Sequence, residues 1–319
     1  MINKVRLFLS VLFISISVLV FSQSMNEAGQ AFNDGLQKAK AKDYSAAIDA
    51  YRSCVDICNS VGVDGEDLKS KAAAQIPVAY YNQGKAQYKA KKFDDAIRSF
   101  ESTNSTALEV NDEKNAERSS KYLARVYNSK GTGLYSAKKY DDAIAMFEKS
   151  ISYDETYERA YYGKSLVYRK QSNADAYKAE VDYLVENGKE GSKTVAKAKS
   201  TAVKFFANSQ AGKAIQAGNF KKAIEMVKYG QSYGAINAQA HFFAALSYNN
   251  LSQWQNAIDA ATKAMATEKK SKSNIYFELG KAYEGLGNKA KACSSYKNVS
   301  DGPNVASAKY KIETELKCN

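Results

Sequence analysis

Apolar side chains return along this chain in one short phrase: an aromatic, two residues, Ala-Ile, two residues, then another aromatic or apolar position. It reads Tyr44…Ala47-Ile48…Tyr51, Phe93…Ala96-Ile97…Phe100 and Tyr140…Ala143-Ile144…Phe147, then Phe220…Ala223-Ile224…Val227 and Trp254…Ala257-Ile258…Ala261. The apolar members recur at the period of one helix face, with polar residues between them. Strand-type alternation is absent, and proline occurs only at 77 and 303. The pattern therefore predicts an all-α chain. A phrase repeated this often predicts stacked copies of one unit, each covering its neighbour's apolar face, in place of one globular core.

Aligning the phrase places a small residue twelve positions before its Ala: Gly35, Gly84, Gly131, Ser165, Ala211, Ala245 and Gly280. This resembles the tetratricopeptide repeat, a pair of antiparallel helices of about 34 residues. The resemblance runs from about Ala28 to Val299, with unit starts at Ala28, Pro77, Ala124, Glu158, Lys204, Ala238 and Ser273. It implies a superhelical solenoid of antiparallel helix pairs, with the small residues where the first helix of a unit (helix A) meets the second (helix B). The aromatic opening helix B is expected to fill the space beside them. Extra residues near 62–76, 111–123 and 192–203 are good helix formers and should lengthen helices. The fourth unit departs from the pattern, with Tyr177 in the Ala slot, and the fifth has Ala207 where an aromatic is usual. The stretch 303–319 reads as an amphipathic capping helix. The expected organisation is thus 1–22, 23–191 (first group of repeats), 192–302 (second group) and the cap.

Residues 1–22 belong to another class. Lys4 and Arg6 precede an apolar run from Leu7 to Phe21, followed by Ser22-Gln23-Ser24. This describes a secretory signal peptide cut after Ser22, with an uncleaved anchor as the alternative. No later run is apolar enough to span a membrane, so the mature chain is expected to be soluble and exported, periplasmic or extracellular. The formal charge is +12, and loss of Lys4 and Arg6 leaves +10. Export turns that charge away from nucleic acid and towards acidic proteins or anionic glycans. Of four cysteines, Cys293 and Cys318 would, if paired, close a C-terminal loop and stabilise the last repeat by roughly 3 kcal/mol. Cys54 and Cys58 lie four apart on one predicted helix and read as small buried side chains.

Catalysis has little support. The single histidine, His241, falls where the repeat family buries an aromatic, so it reads as a packing residue. With His241 read as a packing residue and no second histidine, neither a His-based metal site nor a Ser-His-Asp triad has good support. Asp94-Asp95 and Asp141-Asp142 recur at the same helix start, where negative charge suits the helix dipole. No enzyme activity, cofactor or metal is expected. What the resemblance offers is a concave surface lined by helix A. In the first group it would present Tyr81, Lys85, Tyr88, Lys89, Arg125, Asn128, Tyr135, Arg159, Tyr162 and Arg169. In the second it would present amides and aromatics, among them Phe242 and Asn249. The alternative is a solvated face whose aromatics only support neighbouring helices. The implied function is an interaction scaffold of the cell envelope holding an extended acidic segment of a protein partner. The competing expectation is a module for peptidoglycan or another envelope glycan. The terminal-carboxylate clamp found in some members of the family is incomplete, because Phe32 and Leu36 occupy its first slots.

Overall fold

The computed structural model describes residues 23–318, so the predicted signal segment lies outside the described residues. Among those residues there is no strand, and no helix is long and apolar enough to cross a membrane. The chain divides between Asn173 and Ala174 into two compact units.

The first unit holds α1 (23–40), α2 (Tyr44–Val61), α3 (Glu66–Lys89), α4 (Phe93–Glu109), α5 (Glu113–Ser136), α6 (Tyr140–Tyr153) and α7 (Glu158–Lys170). Each helix packs on the next, and three-residue turns reverse the chain within a repeat. These turns are built alike. Lys42, Lys91 and Lys138 adopt φ of 65°, 59° and 61°, the left-handed conformation that ends a helix. The next amide then reaches back to the helix: Asp43 N–H donates to Lys38 O, Lys92 to Gln87 and Lys139 to Leu134, at 2.9–3.0 Å. The extra segments do lengthen helices, since α3 and α5 each run to 24 residues. Pro77 sits inside α3, where it leaves one carbonyl without its helical donor.

The packing of a pair turns on one contact repeated. A methyl group built on Gly35 would stand 2.6 Å from the Tyr51 ring, on Gly84 2.9 Å from Phe100, and on Gly131 2.8 Å from Phe147. In each case the ring lies on bare backbone, and no β-carbon fits between. Phe147 is held from both sides, because Gly163 on α7 meets the same ring. The residue against the glycine is the last of the phrase. This corrects the expectation that the first aromatic fills that space. Phe93 and Tyr140 instead meet Tyr88 and Tyr135, at centroid distances of 6.0 and 6.1 Å, near the reversing turns.

The second unit runs through α8 (Ala174–Asn187), α9 (Lys193–Val203), a π-helical segment Lys204–Gln210, α10 (Ala211–Gln216), α11 (Phe220–Ser232), α12 (Ala238–Asn250), α13 (Trp254–Thr267), α14 (Ser273–Gly285), α15 (Lys289–Lys297), α16 (Val305–Tyr310) and a last π-helical turn, Lys311–Glu315. The boundary between units thus falls between α7 and α8, the two helices expected to pair as the fourth repeat. Tyr177 explains where α8 goes. Fully buried, it packs edge-on against Phe205 at 4.6 Å and against Phe206 at 5.6 Å. The π-helical turn carries these two adjacent phenylalanines, and both are buried. Asp182 ties α8 to α11: Tyr229 donates to its carboxylate at 2.7 Å, Tyr233 also donates, and Lys178 pairs with it at 2.8 Å.

The last repeat returns to the pattern of the first unit, since a methyl group built on Gly280 would stand 2.5 Å from the Tyr296 ring, and Trp254 covers Gly285. Two reversing turns of this unit use Gly218 and Gly287, both at φ 71°, which glycine adopts without strain, and the α12–α13 turn uses Ser252 at φ 56°. The capping segment seats Ala308, Ile312 and Leu316 on Ala292, Tyr296 and Val299. Lys311 reaches Glu284 at 2.8 Å, and the Cys293–Cys318 disulfide is formed. Cys54 and Cys58 are free and fully buried, and burial pushes the Cys54 thiol up to about 12.

Two outcomes check this packing. Gly84→Ala should destabilise the first unit by about 1–3 kcal/mol, as overpacking does. Combined with Phe100→Leu, the loss measured by urea unfolding should fall at least ~0.5 kcal/mol short of the sum of the two single changes; strict additivity would separate Gly84 from the ring. For Asp182, burial raises its pKa, but hydrogen bonds from Lys178, Tyr233 and Tyr229 outweigh that and hold it below the usual carboxylate value. Its contribution is therefore complete above about pH 4 and is lost as pH falls further through the depressed folded value. Asp182→Asn should flatten the acid limb of the stability profile below pH 4, and an unchanged limb would mean that the network contributes nothing there.

Candidate functional site

The first unit gathers rings and cations on its A helices. On α3, Tyr81, Lys85 and Tyr88 are spaced four and three apart and share a face. On α5 the same spacing aligns Arg118, Tyr122, Arg125 and Ser129. The two stripes meet. Tyr122 stands edge-on to Tyr81 at 5.4 Å and stacks on Phe100 at 5.1 Å. The Arg118 guanidinium lies 4.4 Å from the Tyr81 ring centroid, that of Arg125 5.0 Å from Tyr122, and the Lys85 ammonium 5.3 Å from Tyr81. Ser129 donates to the Arg125 carbonyl at 2.9 Å, so the Tyr88 hydroxyl, 3.1 Å from Ser129 Oγ, is the donor of that pair.

Tyr157, just ahead of α7, completes the group. Burial raises its phenol pKa, while Arg159 and Arg125 lower it and Tyr88 adds to the rise. Arg159 acts on the phenol through its charge and a hydrogen bond, Tyr88 and Arg125 through charge alone. Among the described residues, neither Arg125 nor Arg159 has a carboxylate within 4 Å, and both are exposed. A guanidinium over a ring keeps its outward N–H groups available, and the ring fixes its orientation. The surface can therefore take a carboxylate by charge-assisted hydrogen bonds and an apolar side chain against phenol rings.

The expected site residues distribute unequally. Lys85, Tyr88, Arg125 and Arg159 belong to this cluster. Tyr81 lies beneath it at 4% exposure, so it supports the surface and is not offered by it. Lys89, Asn128, Tyr162 and Arg169 are exposed or half-buried on the same A helices. Tyr135 is engaged with Tyr140 inside its own pair. In the second unit Phe242 is half-buried beside Phe243 at 6.1 Å. Asn249, expected on the open face, is 3% exposed: its amide donates to the Glu278 carboxylate at 2.7 Å and to the Glu278 carbonyl at 2.9 Å, joining α12 to α14. Asn250 spends its amide on the Leu246 carbonyl at 2.8 Å. His241 is half-buried, and burial with nearby Lys263 lowers its pKa.

Arg118 and Tyr122 were missed because alignment to a unit of standard length leaves them outside it, and Tyr157 because it is the last residue of its unit and not one of the helix A positions. Arg118 and Tyr122 lie on the added turns of α5, and Tyr157 in the turn ahead of α7. The spacing 118, 122, 125, 129 was the available signal. Once α5 is known to be one unbroken helix, it puts all four on one face.

Comparison with known proteins agrees with the repeat pattern. Two family models, both described as tetratricopeptide repeat, match the chain, one at 124–157 and 273–300 and the other at 78–103. No curated protein matches it. Similar solved structures include YrrB, a TPR protein with an unusual peptide-binding site, at 16% identity over 60% of this chain and 92% of that one, with a TM-score of 0.38. A tetratricopeptide repeat protein from Parabacteroides merdae is 14% identical over 92% of this chain and 100% of that one, TM-score 0.30. The TPR2AB domain of yeast Sti1 in complex with pHSP90 is 13% identical over 91% and 95%, TM-score 0.35. The matched segments coincide with α3–α4, α5–α6 and α14–α15, where glycine meets ring in the same way each time. The chain carries tetratricopeptide repeats at 78–103, 124–157 and 273–300.

Proposed function

We propose that this protein is an exported, non-catalytic scaffold of the cell envelope that holds an extended acidic segment of a protein partner on the A-helix face of its first unit. Tetratricopeptide-repeat proteins are in general protein-interaction scaffolds, and the fold is typically non-catalytic. Export rests on the signal-like residues 1–22. The observation that carries the partner's chemistry is the cluster of Arg125, Arg159, Tyr88 and Tyr157, in which exposed guanidiniums stand beside phenol rings without a carboxylate of their own. Carboxylates of the segment pair with the guanidiniums and give orientation, and side chains between them cover the rings. Lys85, Lys89 and Arg169 extend the positive field along the same helices.

Glycan binding has less to stand on. It drew on Phe242 beside Asn249 and Asn250, and both amides are engaged in hydrogen bonds within the second unit.

The test uses synthetic peptides of extended, Asp- and Glu-rich sequence with interspersed apolar residues, titrated against the full chain. Affinity should weaken as salt is raised. The Arg125→Glu, Arg159→Glu double variant should bind at least ten-fold more weakly, about 1.4 kcal/mol, with its Tm unchanged. Equal binding by the variant would overturn the proposal. Binding of peptidoglycan fragments by both forms, with no response to salt, would move the assignment to the glycan reading.

A further inference from the structure

Within the second unit, α9 and the turn that joins α11 to α12 leave a cleft of about 450 Å³, the size of a small-molecule site. Ala196 and Val203 on α9 form one apolar wall, and the Tyr233 ring with Ala235 forms the other. Tyr233 is 8% exposed and donates its hydroxyl to Asp182, so its ring is fixed in place. The turn comes close to α9, since a methyl group built on Gly234 would stand 3.8 Å from Val203. Lys199, Lys204 and Asn208 line the same cleft. Lys199 lies one helical turn before Val203, and Asn208 one turn after Lys204, within the π-helical segment. Lys199 is half-buried, yet among the described residues neither it nor Lys204 has a carboxylate within 4 Å, and no carboxylate lines the cleft. A cation drawn back from water is ordinarily paired. Asn208 is half-buried too, and its Oδ1 is buried without a hydrogen-bond partner, which leaves the amino group as its accessible end. Polar groups left unmet beside a cavity call for a partner that the chain does not supply. π-Helical turns interrupt α-helices most often at functional sites.

We propose that this cleft binds a small organic monocarboxylate, its head held by Lys199, Lys204 and the Asn208 amide and its apolar body laid between Val203 and Tyr233. Two ammoniums and an amino group offer donors only, so the head they take is an acceptor, and the two positive charges make it an anion. Charge-assisted hydrogen bonds from both lysines orient that head. The walls decide the rest of the ligand. A bare inorganic anion would satisfy the lysines and leave the Tyr233 and Val203 surfaces in water. A wholly apolar molecule would cover those surfaces and strip water from ammoniums that have no other partner. A molecule that carries a carboxylate on an apolar body meets both demands at once. The site shares no residue with the tyrosines and arginines of the first unit, and its volume admits a body the size of a side chain in place of an extended segment. Occupied, it would join α9 to the α11–α12 turn through the ligand.

The experiment is isothermal titration calorimetry of the full chain with octanoate, octanamide and octylamine, which vary the head on one tail. Octanoate should bind saturably, octanamide at least about ten-fold more weakly, and octylamine more weakly still. Butyrate should also bind more weakly than octanoate, because it covers less of the apolar wall. Lys199→Gln combined with Lys204→Gln should weaken octanoate at least about ten-fold, whereas the corresponding pair of Arg variants should keep most of the native affinity. The Tm of the free chain should not change in either pair, since neither lysine has an ionic partner in the chain. Absence of saturable octanoate binding, equal affinity for octanamide, or equal octanoate affinity in the Gln pair would each overturn the proposal.

Discussion

An aromatic ring pressed against a bare α-carbon is the contact on which the regular parts of this fold depend. Gly35 with Tyr51, Gly84 with Phe100, Gly131 with Phe147 and Gly280 with Tyr296 each lie sixteen residues apart, one on helix A and the other on helix B. In the second unit the same separation relates Ala211 to Val227 and Ala245 to Ala261, all of them buried. Where the A-helix member is alanine, the B-helix member is Val or Ala and never a ring. A ring on glycine brings two helices close at one height, and the shared left-handed turn then reverses the chain at a fixed distance from that point.

The consequence for the surface is indirect but decisive. With the B-helix rings used to lock each pair, the tyrosines on helix A are not all needed for the core. Tyr81 is consumed by packing, and Tyr122 partly so. Tyr88 and the exposed arginines are left in a row held in place by their neighbours. Arg118 and Arg125 lie over rings that are themselves immobilised against Phe100 and Tyr81. Long basic side chains held this way lose less entropy on meeting a partner than free ones do. The second unit spends its polar groups inward. Asp182 gathers two phenols and a lysine, and Asn249 closes on Glu278.

Much of this is legible in the amino-acid sequence, and the reason is periodicity. A helical phrase that recurs in register with a small residue marks helix A, helix B and their meeting point at once. The added turns of α3 and α5 follow from helix-forming composition without breakers. The cap and its bridge follow from Cys293, Cys318 and the amphipathic tail. What one-dimensional alignment could not decide was which of two aromatics in the phrase reaches the glycine. Tyr44 and Tyr51 lie two turns apart on the same helix, and only the depth of the crossing chooses between them. Nor could it decide the fate of Tyr177. A large residue in an alanine slot says that the usual pairing is disturbed, but not that α8 packs with the residues that follow it. Asn249 was misplaced because an amide reads the same on an open face and beneath a carboxylate. The site was the least legible part, since Arg118 and Tyr122 come from turns added outside the standard repeat and Tyr157 from the turn that closes one.

The most direct measurement is hydrogen–deuterium exchange of the full chain, free and saturated with an acidic peptide that it binds. Slowed exchange confined to the A helices of the first unit, around Tyr88, Arg125, Tyr157 and Arg159, is the expected result. Protection on α4 and α6, or in the second unit alone, would contradict a binding face made by the first unit's tyrosines and arginines.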